Sequence, residues 1–383
     1  MLSLFSYALV IGICLIFTFY MDGEVGVLML SFMALIPVFS LVLMLVARFT
    51  VYLHLRIAQL LRKGKPVQVT VTFTKKTPLP TPFFRYYLRG DAHFQASDLE
   101  THMMLGLEKQ YESTHFLQPT ISGRAEIYVD AMKLTGYLGF LRLSMPKPFR
   151  TTTIILPDIP ELQAGTALFQ SVCSAVMTDS DDESAVAQIG VHTTAGYEHR
   201  AYIPGDPLKR INWKLSSKRR ELMVRMDEAV AVSKITVVLD MESNIVLEDP
   251  RSRFLFEERI TEGALGLLSL FAKNGLSTWF HRPTESGWSM EMIDSDECTQ
   301  SAAIHVFDRG FRVQGLERIP PDLGGNGVLI VFTTCPDAAL FTALQCWNGE
   351  RHVIVPEEIA VAKEAGCQFW RISPTYEISP IEG

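Results

Sequence analysis

Nowhere in its 383 residues does the chain carry a phosphate loop of the form GxxxxGK[ST], a GxGxxG turn, an HExxH pair or a GxSxG elbow. Their absence removes the usual sequence grounds for a nucleotide-binding enzyme, a zinc hydrolase or a serine hydrolase. Paired cysteines are missing too. Cys14, Cys173, Cys298, Cys335, Cys346 and Cys367 are scattered, with no CxxC and no zinc spacing, which argues against a disulfide framework and reads as reduced, mostly buried thiols. Positive charge is not in excess either: a net charge of −7 and a pI near 5.8 argue against a protein that coats nucleic acid.

Charge of both signs is absent from residues 1–21 and again from 25–47. Each stretch reaches the roughly 20 apolar residues that a bilayer core requires. Only Met21-Asp22-Gly23-Glu24 separates them, so the sequence predicts a transmembrane helical hairpin over residues 1–50, with spans at about 2–21 and 25–47. A cleaved signal peptide fits poorly, because no basic residue precedes the first run and a second run follows at once. The turn carries two acids, whereas Arg48, Arg56, Arg62, Lys63 and Lys65 follow the second span with no acid among them. Basic flanks stay in the cytoplasm, which places everything beyond the hairpin there, after a basic juxtamembrane linker over 51–66.

Beyond the linker the period changes. Val67-Gln68-Val69-Thr70-Val71-Thr72-Phe73-Thr74 alternates apolar with polar, as a half-buried strand does. Short branched and aromatic runs at 83–88, 115–117 and 125–129 follow, and together they predict a small β-sandwich over 67–160. From residue 234 the pattern becomes α/β. Ile235-Thr236-Val237-Val238-Leu239-Asp240 is a continuous apolar run ending in a carboxylate, as expected of a parallel strand buried on both faces. Expected helices at 254–273, 297–307, 337–346 and 357–365 alternate with expected strands at 277–281, 328–333, 352–355 and 368–372, which predicts a doubly wound sheet over 234–383. The expected class is therefore α+β multidomain: hairpin, sandwich, a connector over 161–233, and the doubly wound domain.

The connector holds the most informative passage. After an acidic loop at 179–183, residues 200–225 contain eight Lys or Arg against Asp206 and Glu221, a local balance of +6 in an acidic chain. Pro204-Gly205 reads as a turn, Asp206 as a helix cap and Pro207 as the first helical residue. That helix would bury Leu208, Ile211 and Leu215 and present Arg210, Lys214 and Lys218, with Leu222 to Met226 returning as a strand. The candidate partner- or anion-binding residues are Arg200, Tyr202, Gly205, Asp206, Arg210, Trp213, Lys214, Lys218 and Arg220. A competing reading is a solvated helix face with Arg200 or Arg210 paired internally to Asp206 or Glu228. Tyr202 and Trp213 among cations suit base stacking, but aromatics at these positions read more simply as core, and no nucleic acid is expected.

The run Tyr202-x-Pro204-Gly205-Asp206-x-x-x-Arg210-Ile211-x-Trp213-Lys214, with Leu222 and Val224 after it, resembles the signature of the bacterial domain-of-unknown-function family 58 (DUF 58). Asp130 to Phe140 loosely resembles a further family region, and Asn212 departs from the family's common Asp. The resemblance implies a bacterial inner-membrane protein with a von Willebrand A-like C-terminal domain, a companion of MoxR-type AAA+ ATPases in envelope or complex assembly. It also implies a metal motif D-x-S-x-S. Here the row is Asp240-Met241-Glu242-Ser243-Asn244, with both serine positions replaced, so Asp240, Glu242 and Asn244 are degenerate candidate ligands for magnesium. The expected function is a membrane-anchored adaptor without catalytic activity, and no cofactor is expected beyond that magnesium. The alternative is a metal-dependent receptor or an uncharacterised hydrolase built on Asp240 and Glu242. A thiol triad of Cys335, His352 and Asp337 has no recognised local context.

Overall fold

A computed structural model describes residues 2–20, 23–95, 99–145, 149–163, 166–178, 193–203, 211–229, 235–243, 249–312, 317–323, 327–361 and 366–381. The acidic loop at 179–183, residues 204–210 of the motif, Asn244 and the turn at 324–326 lie outside them. The chain divides into two compact units, Met1–Leu156 and Pro157–Gly383.

The first unit opens with two apolar helices, α1 (Leu2–Tyr20) and α2 (Gly23–Thr50). They pack on each other. The Tyr7 hydroxyl donates to the Met33 carbonyl, and Gly26 approaches Thr18 so closely that no side chain would fit between them. By length and composition α2 is apolar enough to cross a membrane, while α1 over residues 4–20 is a shorter apolar helix. Pro37 lies inside α2.

Among the described residues nine strands follow: β1 (Val51–Arg56), β2 (Leu60–Arg62), β3 (Val67–Lys75), β4 (Phe83–Gly90), β5 (Leu99–Met103), β6 (Gln110–Leu117), β7 (Gly123–Thr135), β8 (Arg142–Met145) and β9 (Phe149–Leu156). One sheet runs β1-β3-β6. The other runs β2-β9-β7-β4-β5, with β8 paired to β7. Alternation in β3 sends Val69, Val71 and Phe73 inward, all fully buried. Phe73 meets Phe84 and Tyr86 of the other sheet at ring centroid distances of 6.1 and 5.3 Å, which closes a β-sandwich core. Residues 51–66 are not the expected linker. Val51, Leu53 and Leu55 alternate toward the core and pair β1 with β3, so α2 passes into the sandwich without a spacer.

The second unit begins with α3 (Ala167–Thr178), followed by β10 (Thr193–Ala201), α4 (Trp213–Arg219) and β11 (Met223–Ala229). Next come β12 (Ile235–Leu239), α5 (Pro250–Lys273), β13 (Thr278–Thr284), β14 (Gly287–Ile293) and α6 (Asp296–His305). β15 (Val328–Phe332), α7 (Ala338–Leu344), β16 (Glu350–Pro356), β17 (Gln368–Ile372) and β18 (Ile378–Pro380) complete it. Seven strands form one sheet in the order β14-β13-β12-β15-β16-β17-β18. The five inner strands are parallel and the two edge strands antiparallel.

Both faces of this sheet are covered. Val238, Leu329, Val331, Val353 and Val355 share a core with Leu340, Phe341 and Leu344 of α7. Phe332 and Ile372 reach Gly263 of α5 on the opposite face. The expected helix over 357–365 does not form across 357–361. Ile359 N–H bonds back to the Pro356 carbonyl in a turn that carries the chain toward β17. β14 and β18 were not expected from the sequence; each adds an antiparallel edge.

Candidate functional site

The motif residues build a small hairpin with a helix in its connection. β10 and β11 pair antiparallel, with Arg200 opposite Val224, and the Tyr202 N–H donates to the Leu222 carbonyl at 2.7 Å. Ile211, expected on a helix face, instead forms a β-bridge with Val224. The described helix therefore begins at Trp213. Its cap is Asn212, whose side-chain oxygen accepts the Leu215 N–H at 3.2 Å. An Asp side chain would offer the same acceptor to a first-turn N–H. Gly205, Asp206 and Arg210 fall outside the described residues, as do the side chains of Arg200 and Arg225.

Ser216 ties the helix to the hairpin. Its hydroxyl donates to the Asn212 carbonyl and accepts the Met223 N–H, both at 2.8 Å. With Ser216 buried, that N–H has no water to turn to. Ser216→Ala is expected to destabilise this unit by roughly 1–3 kcal/mol, and Asn212→Asp to change it by less than about 0.5 kcal/mol. All five tryptophans lie after Pro157, so intrinsic fluorescence in a denaturant titration reports this unit alone and checks both values.

What the hairpin leaves outward is unusual. Trp213 is 65% exposed, and Ile203 and Leu222 are also exposed. Lys214, Lys218, Arg219 and Arg220, which follow Trp213 along and just beyond α4, are all exposed, with no ion pair to a described carboxylate. Arg220 closes the helix at φ 59°, a left-handed conformation that turns the chain sharply back into β11. The result is an exposed segment that carries both positive charge and a tryptophan.

A second constellation sits at the carboxyl ends of β12 and β15, where the strand order reverses and α/β sheets hold their ligands. Asp240, immediately after β12, is 2% exposed. Its carboxylate accepts the Thr333 hydroxyl at 2.7 Å and the Glu242 N–H at 3.2 Å. Arg318 fills the remaining space. Its Nε lies 3.2 and 3.1 Å from the two Asp240 oxygens and its Nη2 2.6 Å from Oδ2, a forked charge-assisted pair. Nη2 also donates to the Cys335 carbonyl at 2.6 Å and Nη1 to Asp337 at 2.8 Å, while Glu242 stands 3.5 Å from Nε.

Burial works against the Arg318 charge, but the Asp240 bonds and the nearby carboxylates outweigh it and hold the guanidinium's pKa above its ordinary value. Burial raises the Glu242 carboxyl, opposed in part by Arg318. The oxygens here are of the hard kind a divalent ion takes, yet the guanidinium engages those same oxygens. These residues therefore do not fit a metal alongside Arg318. Asn244 lies outside the described residues.

Sequence reading missed Arg318 and the part played by Asp337, a carboxylate that follows β15 and pairs with Arg318. An isolated arginine in an irregular segment carries no periodic signal; only its partners mark it. The Cys335, His352 and Asp337 triad is not assembled. His352 pairs in register with Ile330, five residues before Cys335, and its Nδ1 accepts the Trp370 indole N–H. Burial pushes the Cys335 thiol up to about 11, so it is no nucleophile at neutral pH.

No family model matches the chain, and no curated protein matches it. Among solved structures, native α2-macroglobulin of Escherichia coli is similar over 29% of this chain and 17% of its own, at 15% identity and a TM-score of 0.25. A cohesin module from a family 33 glycoside hydrolase of Clostridium perfringens is similar over 28% of this chain and 96% of its own, at 8% identity and a TM-score of 0.22. The chain thus spans about a sixth of the α2-macroglobulin fragment.

Proposed function

We propose that the chain is a membrane-anchored adaptor whose second unit docks an acidic surface of a partner protein through the exposed cations on and after α4. The observation that carries this reading is four exposed cations without a described counter-charge, in the same short segment as an exposed tryptophan. Interfaces combine aromatic anchors with charges that steer the encounter.

The anchor is the pair α1 and α2, a transmembrane hairpin in a bacterial inner membrane. Both helices turn large apolar side chains outward, including Phe5, Phe19, Leu28 and Phe32, each more than 60% exposed. Such surfaces call for a non-aqueous neighbour. The basic residues after α2 place both soluble parts in the cytoplasm. The resemblance to family 58 names the partner class, a MoxR-type AAA+ ATPase, and a von Willebrand A-like role for the second unit agrees with its strand order. A reporter fused at Gly383 is expected to be active only when it functions inside the cell.

Lys214→Glu with Lys218→Glu reverses two exposed charges without touching the core. The variant is expected to keep its unfolding midpoint and lose co-purification of the ATPase from detergent-solubilised membranes by tenfold or more, on the order of 1.4 kcal/mol. Raising salt should weaken the wild-type complex in the same direction. An ATPase recovered equally with both proteins would dismiss these cations as the docking surface.

A further inference from the structure

The connection between β7 and β8, Gly136-Tyr137-Leu138-Gly139-Phe140-Leu141, carries no charge, and the first unit seats it on the two apolar helices. Its own backbone closes it. The Gly136 N–H donates to the Leu141 carbonyl and the Gly139 N–H to the Gly136 carbonyl, both at 2.8 Å, with Gly139 at φ 76°. The turn then meets both helices: the Tyr137 N–H donates to the Ser40 hydroxyl of α2 at 3.2 Å, and the Phe140 ring centroid lies 5.5 Å from that of Tyr7 on α1. A side chain added at Gly136 would come within 2.8 Å of Ser40 Oγ and 3.0 Å of Met44 Sδ, so glycine is what lets the turn approach α2 this closely.

The level of this contact along α2 decides what surrounds the turn. Ser40 lies eight positions before Arg48, the first charged residue after Glu24, which is about 12 Å further into the apolar run. Ser40, Leu43, Met44 and Ala47 form the buried face of α2 here, while Leu41, Val42 and Leu45 at the same level are apolar and exposed. A turn at that level therefore shares the surroundings of an outward-facing apolar belt.

We propose that residues 136–141 are a second membrane contact, a turn carried by the sandwich that enters the adjoining leaflet and places Tyr137, Leu138 and Phe140 among the upper acyl chains. This rests on the reading of α1 and α2 as a transmembrane hairpin and extends it to the soluble domain. Tyr137, 40% exposed, takes the place an aromatic side chain favours at a bilayer boundary. Lys133 and Arg142, exposed on the strands that enter and leave the turn, supply positive charge for lipid phosphates while their aliphatic stems stay along the apolar edge. Two attachments, the α2–β1 junction and this turn, then fix the attitude of the sandwich to the bilayer.

The test places the fluorescent amino acid Anap singly at Tyr137, Phe32 or Phe116 of the full-length chain, reconstituted in vesicles of phosphatidylethanolamine and phosphatidylglycerol. Quenching is read from phosphatidylcholine bearing a nitroxide on its acyl chain, and separately from aqueous iodide. Phe32 lies within α2, and its quenching by the lipid nitroxide checks the anchor by itself. Phe116 is 64% exposed and pairs with Gln68, seven residues along β3 from Lys75, the partner of Val51 at the end of α2. It is expected to respond to iodide alone. Tyr137 is expected to follow Phe32, quenched by the lipid nitroxide and shielded from iodide. Should the probe at Tyr137 prevent folding, the same probe at Leu138 decides. Lipid quenching at Phe32 with iodide quenching at the turn overturns the proposal and leaves the anchor standing. A turn shielded from both quenchers is covered by protein, which also overturns it. Loss of lipid quenching at Phe32 overturns the anchor and the turn's insertion together.

Discussion

Asp240→Ala is expected to destabilise the second unit by about 3–5 kcal/mol, the cost of leaving one member of a buried ion pair without its partner. The substitution removes the forked acceptor of Arg318, the acceptor of the Thr333 hydroxyl and the acceptor of the Glu242 N–H together. Asp337 and Glu242 remain near the stranded guanidinium, but the Asp337 side chain is 52% exposed and replaces little of what is lost. Denaturant unfolding followed by tryptophan fluorescence measures the effect. Asp240→Leu combined with Arg318→Met is expected to cost far less than either single change, because it removes both charges and leaves none uncompensated. A midpoint for Asp240→Ala within about 1 kcal/mol of wild type would show that the pair is not buried as described. Loss of Asp240 damages the fold through Arg318, so a defective Asp240→Ala protein is no sign of a bound metal.

Acidification from about pH 6.5 to about pH 4 is expected to remove up to about 3 kcal/mol from the same unit through His352 alone. His352 is fully buried on β16. Its Nδ1 must be the unprotonated acceptor, because the Trp370 indole N–H can only donate. Burial pushes its pKa down from 6.5 to about 4. The direction follows from which state binds the proton. In this pH window the unfolded chain takes up a proton that the folded chain refuses, so stability is full above 6.5 and falls as the pH drops. Glu350 lies 3.5 Å from Nε2, but its side chain is 47% exposed and hydrated, so it does not reverse the sign. His352→Gln keeps an acceptor for Trp370 and should flatten this part of the pH profile. An unchanged slope in that variant would assign the acid sensitivity elsewhere.

Where a segment's fate depends on its own faces, the sequence was enough. The alternation at Val69, Val71 and Phe73 produced a strand with one buried side, and the unbroken run 235–239 produced a strand buried throughout. The apolar α2 was equally plain. Legibility failed where two signals merged or where the neighbours decided. Val51, Leu53 and Leu55 alternate as a strand should, but they follow an apolar helix without a break and were read as its basic tail. The segment at 357–361 has helix-forming residues, yet its start is fixed in a turn on Pro356. Within the motif, the Pro207 start signal promised a helix through Ile211, but Ile211 bridges Val224 and the described helix, capped by Asn212, begins at Trp213.

The sequence by itself determined the kind of chain this is: two apolar helices, a half-buried sandwich, an α/β region, and a knot of positive charge in an acidic molecule. Those are properties of neighbouring residues, and neighbours share periodicity. Tertiary structure alone decided which charges remain available. It left Lys214, Lys218 and Arg220 exposed, and it set Arg318 on Asp240, 78 positions away. Electrostatic pairing acts through space, and no local pattern along the chain records which distant partner a folded arginine will meet.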